Sequence, residues 1–170
     1  ADLPDAGRGT IAERAVLVRE KALHEEWDAR TLSASLIGLA ASAQESDEEA
    51  AALRLVEEAT AAAPVLAADY GDALSFFQAE LAFGAGAVAV EAQQVLRAAA
   101  WFGAALVAYC GIEQAEPVAD CLDRLLQLLP TRHPDLPGVI VESLVPVALL
   151  VERLLGEAGV RRLQHLYRAA

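Results

Sequence analysis

The sequence predicts an all-α protein of seven or eight antiparallel helices. Three observations carry this. Of 170 residues, 38 are Ala and 26 are Leu, both strong helix formers. Aromatic residues make up only 5%, too few for a sheet protein. Apolar side chains recur at three- and four-residue spacing between Pro and Gly breaks. An apolar fraction of 55% excludes intrinsic disorder. The length suits one domain over residues 1–170 with a core of its own.

Residues 1–9 hold Pro, Gly and Asp and form a loose lead-in. Thr10 and Glu13 then have the spacing of a capping box. The first helix is expected to run to about Arg30, with Ile11, Ala15, Val18, Ala22 and Trp27 on its apolar stripe. A second spans about Thr31 to Gln44. A second capping box, Ser46 to Glu49, opens a third helix that stops at Pro64. A fourth covers Val65 to Phe83, and Gly84 and Gly86 mark a break after it. The fifth runs from Ala87 to Gly111 and is apolar nearly all round from Ala98, as a buried helix or an oligomer interface would be. Pro117 suits the first turn of the sixth, which ends at Pro130. Residues 130–138 hold three prolines and read as a loop. The seventh, Val139 to Leu155, is broken or kinked near Pro146. Gly156 and Gly159 precede a short last helix ending at Tyr167.

The net charge of −12 argues against nucleic-acid backbones and anionic membranes as partners. Residues 25–123 carry 17 acidic and 3 basic side chains, whereas residues 124–170 carry 4 acidic and 6 basic. An acidic, solvated body follows, with a basic protein as one partner class. Cys110 and Cys121 do not make a disulfide framework in a chain of this size and read as buried thiols. The longest uncharged apolar run, Ala98 to Ile112, has 15 residues, short of the roughly 20 of a membrane span. No signal peptide pattern precedes the body. These features predict a cytoplasmic protein without membrane insertion. The missing initiator Met and a helix near Ala170 suggest a piece of a larger protein.

Pro64 and Pro130 each end a pair of helices. Before Pro64 stand Leu36, Leu39 and Ala40, then Ala52, Val56 and Ala59. Before Pro130 stand Phe102, Ala105, Leu106 and Tyr109, then Val118, Leu122 and Leu125. Over residues 33–64 and 99–130 this resembles the tetratricopeptide repeat, with large and small residues where two antiparallel helices cross and a proline at the end. Leu106, Val118 and Leu125 stand where that family prefers small residues, and residues 65–98 depart from the frame. The resemblance implies a helical-hairpin array that binds proteins or peptides and has no chemistry of its own. A compact helical bundle is the alternative architecture.

Catalytic patterns are sparse. His24 and Asp28 are one turn apart if a single helix holds both, but no further metal ligands join them, and His133 and His165 lack a motif. Asp69, Asp72, Glu80, Glu91 and Glu142 interrupt apolar segments, so burial would make them candidates for cation binding or acid–base work. Gly84-Ala-Gly86 matches a loose dinucleotide fingerprint without the strand that motif requires. Neither a cofactor nor a metal is expected.

The aromatic set is the strongest site candidate: Phe76, Phe77, Phe83, Trp101, Phe102 and Tyr109, with Glu80 among them. Aromatics anchor cores and interfaces alike. The reading is a non-catalytic interaction module that binds a protein or peptide in a groove of the fourth to sixth helices and can form a homodimer. The alternative is a small-molecule-binding domain with an apolar cavity between the fourth, fifth and seventh.

Overall fold

A computed structural model describes residues 9–45 and 48–169. The fold is all-α. Among the described residues there are ten α-helices rather than seven or eight: α1 (Ile11–His24), α2 (Ala29–Ala41), α3 (Glu49–Ala62), α4 (Pro64–Tyr70), α5 (Asp72–Glu91), α6 (Val95–Gly111), α7 (Ala115–Leu128), α8 (Leu136–Leu144), α9 (Ala148–Leu155) and α10 (Glu157–Arg168). Short 3-10 turns cover Ser42–Glu45 and Leu129–Thr131.

The extra helices have local causes. The expected first helix stops at His24. Glu26 turns left-handed (φ 53°), and the Trp27 N–H donates back to the Ala22 carbonyl at 2.9 Å. Asp28 then starts α2, its carboxylate accepting from the Thr31 N–H at 2.7 Å. His24 and Asp28 therefore stand on either side of a turn and share no helix. Gly71 (φ 56°) divides the expected fourth helix, leaving α4 and α5.

The glycines at 84 and 86 do not break the chain, because α5 runs through both. Gly86 instead makes room for a ring. A Cβ there would lie 2.7 Å from Cε1 of Phe102. The break falls at 92–94, where Gln93 takes φ 57° and the Gln94 N–H reaches the Ala89 carbonyl. The α6–α7 turn repeats this closure: Glu113 has φ 56°, and the Gln114 N–H reaches the Tyr109 carbonyl. Gly159 also lies within a helix, close against Leu155 and Val151. The Pro-rich stretch is shorter as a loop than expected, since α8 begins at Leu136 with Pro137 in its first turn. The chain does break around Pro146, between α8 and α9. The Thr10–Glu13 capping box forms. Ser46 and Asp47 of the second one lie outside the described residues.

Two compact units divide the chain, Ala1–Leu74 and Ser75–Ala170. The boundary falls in the first turn of α5, and the Pro-rich stretch lies inside the second unit. In the first unit α2 and α3 form the main hairpin, burying Leu36, Leu39, Leu53, Leu55 and Val56. The free N–H of Ile11 at the start of α1 donates to the Glu48 carboxylate at 3.1 Å. Ion pairs tie helices two apart in the chain: Arg19 of α1 to Glu58 of α3 (2.6 Å), and Arg30 of α2 to Asp69 of α4 (3.1 Å).

The second unit repeats this arrangement. α6 packs on α7 and α8, and α10 packs on α7, α8 and α9. Glu113 pairs with Arg153 of α9 (2.6 Å) and Asp123 of α7 with Arg162 of α10 (2.8 Å). These partners are 40 and 39 residues apart, and those of the first unit 39 and 39. α6, α7, α8 and α10 begin at residues 95, 115, 136 and 157, a two-helix step of about forty residues when α8 and α9 count as one helix broken near Pro146. α7 shows the cause of its packing: Val118, Cys121, Leu122, Leu125 and Leu128 are buried at helical spacing, while Glu116, Asp120 and Gln127 face solvent.

Candidate functional site

α6 is half buried rather than enclosed. Phe102, Leu106 and Tyr109 lie on its inner face, and Ala100, Ala104 and Val107 are exposed. Two aromatic rungs join it to α5. The Phe83 and Phe102 rings meet edge to face at 5.3 Å, and Phe76 meets Tyr109 in the same way at 5.8 Å. On α5, Phe76, Glu80 and Phe83 fall at i, i+4 and i+7, a single face of the helix. Phe76 and Phe83 are half-buried and Glu80 is exposed, while Phe102 and Tyr109 behind them are core.

Four of the seven candidate residues thus form the two rungs, and Glu80 stands between them on α5. Glu80 and Asp120 of α7 both act electrostatically on Tyr109. Burial first, then Glu80, Cys121 and Asp120, push the Tyr109 hydroxyl up to about 12. Phe77 and Trp101 are half-buried and take no part in either rung.

The composition-based reading passed over Arg124. Its guanidinium lies over the Phe83 ring at 5.3 Å and the Phe102 ring at 5.9 Å. The signal was available in the sequence: a charge set between Leu122, Leu125 and Leu128 on a strongly amphipathic helix needs a partner that accepts both its stem and its head.

The other candidates separate. Asp69, Asp72, Glu80, Glu91 and Glu142 are all exposed, so the burial that would have made them catalytic candidates is not found. Cys110 and Cys121 are buried free thiols, and burial pushes them up to about 11 and about 12, which makes them poor nucleophiles. His133 accepts the Asp135 N–H at Nδ1, and His24 and His165 are exposed. No cluster of three or more potential metal ligands occurs among the described residues. An open concavity of about 400 Å³ lies at the start of α6, lined by residues 93–97 and His133, away from the aromatic rungs.

Among the described residues one helix, α5, is long and apolar enough to cross a membrane, and 39% of its most apolar window is buried within the chain. No family model, curated protein or solved structure matches the sequence.

Proposed function

We propose that the chain is a non-catalytic interaction module whose α5–α6–α7 face binds a protein or peptide. The observation that carries this is the row on α5. Phe76 and Phe83 stand two turns apart with Glu80 between them, each half-exposed ring backed by a second aromatic. Helix-in-groove recognition uses anchors at this spacing, and rings held by other rings lose little freedom on binding. Other large apolar side chains remain at the surface, Val145 at 67% and Leu149 at 81% exposed. These make self-association as a two-fold dimer part of the same proposal.

The tetratricopeptide likeness belongs to the proposal as well. Residues 33–64 and 99–130 each hold a helical hairpin, α2–α3 and α6–α7. The two-helix step of about forty residues is longer than the 34 of that repeat and nearer the HEAT and armadillo classes. The reading needs only the hairpin array. A cytoplasmic setting without membrane insertion is proposed with it. Glu80 near the middle of α5 is a costly residue to place in hydrocarbon.

The test is selection of peptides from a random display library on the whole chain, followed by binding to Phe76→Ala and Glu80→Lys variants. The expected result is enriched sequences whose affinity falls roughly tenfold, about 1.4 kcal/mol, on at least one substitution. Enriched peptides indifferent to both changes, or no enrichment, would end this reading.

A further inference from the structure

The geometry points to Arg124 as a carboxylate anchor: its guanidinium, 5.3 Å from the centre of the Phe83 ring and 5.9 Å from that of Phe102, offers its N–H donors to a carboxylate carried by a peptide partner. The inference rests on the proposed reading of the α5–α6–α7 face and names the partner chemistry there.

Five arginines of this acidic chain, at 19, 30, 153, 161 and 162, hold carboxylates. Arg124 makes no hydrogen bond or ion pair among the described residues, although it is half-buried. None of its nitrogens is sealed from solvent. Candidate partners are near in sequence. Asp120 is one turn earlier, in the orientation that favours a helical pair, and Asp123 is adjacent but bonded to Arg162. The two rings therefore set the guanidinium's position.

None of the guanidinium's five N–H donors is taken by the described residues. A guanidinium fixed by aromatic contact has little rotamer freedom left to lose, and its planar fork matches a carboxylate with two parallel hydrogen bonds. Glu80 and Asp120 limit the site to a single carboxylate rather than an acidic run. The half-exposed edge of Phe83 beside the guanidinium favours an apolar group next to that carboxylate.

The experiment follows the arginine Nε–Hε resonances of the isotope-labelled whole chain by NMR. The probes are N-acetylphenylalanine and its primary amide. A saturable shift of the Arg124 resonance is expected with the acid at about millimolar Kd, with no shift from the amide. The exposed Arg54 and Arg132 should stay still. Arg124→Lys keeps the charge but loses the fork, and should weaken the acid roughly tenfold with unchanged helix content. An unmoved Arg124, equal shifts from acid and amide, or full affinity in Arg124→Lys would overturn the assignment. The docking reading would survive that result if display-selected peptides still depend on Phe76 or Glu80.

Discussion

Gly103 is a glycine with almost no room beside it. It sits where α6 meets α8, and a Cβ placed there would lie 2.6 Å from the Cβ of Ser143. Gly103→Ala should cost about 1–3 kcal/mol through overpacking, measured as a lower urea midpoint; an unchanged midpoint would show that α6 and α8 separate freely. Ser33 presents the opposite case. It is fully buried in α2, and its hydroxyl has no partner. Ser33→Ala removes an unsatisfied group and should stabilise by about 1 kcal/mol. Three side chains give the protein an alkaline limit. Tyr109, Cys110 and Cys121 all ionise later in the folded chain than in the unfolded one, burial being the first cause in each. A raised folded value means the contribution to stability is full below the ordinary value and is lost as pH climbs through the folded one. Stability should therefore fall from about pH 9, the ordinary thiol value, up to about 12. Denaturant midpoints that stay flat across that window would contradict this.

Helices were more legible than their boundaries. Thr10 with Glu13, Pro117 and Pro137 mark helix starts by their own chemistry. Four turns among the described residues are closed by a non-glycine residue in the left-handed region, Glu26, Gln93, Glu113 and Arg132, and such turns carry no Gly to announce them. Conversely, Gly84 and Gly86 suggest a break because a sequence does not show which glycine is needed for close packing. The same limit governs the candidate site. The aromatic residues could be named from composition, but which of them pair depends on the α5–α6 crossing. Arg124 becomes visible only once α7 is laid beside those rings. The left-handed turns also yield a prediction. A side chain at such a position costs about 1–2 kcal/mol, which glycine relieves in part. Gln93→Gly should stabilise by about 0.5–1 kcal/mol. Glu113→Gly should gain less, because Glu113 also holds Arg153. Equal gains in thermal melts would mean that the ion pair contributes nothing.

At the scale of the whole molecule, the second unit has a core drawn from its own helices: Leu81, Phe102, Leu106, Leu122, Leu125, Leu136, Ile140, Leu144 and Leu166 are all buried. A fragment of residues 72–170, which keeps α5 whole, should be helical and unfold cooperatively in urea. A fragment without a transition would show that this core depends on residues before Asp72. All-α architecture was legible at this scale from alanine, leucine and periodicity alone. The division at residue 74 was not, because it lies at the start of a continuous helix and has no linker composition.

Lys21 is the one lysine in 170 residues. Its ammonium lies 5.8 Å from the centre of the Trp27 ring and 4.0 Å from the Glu25 carboxylate. An amine-reactive dye or surface linker therefore meets a single side-chain target, on α1 in the first unit and outside the set of residues that forms the aromatic face. Every molecule coupled through its lysine carries its tether at the same place. Trp27 emission, sensitive to the loss of the neighbouring positive charge, would give the coupling an optical readout of its own.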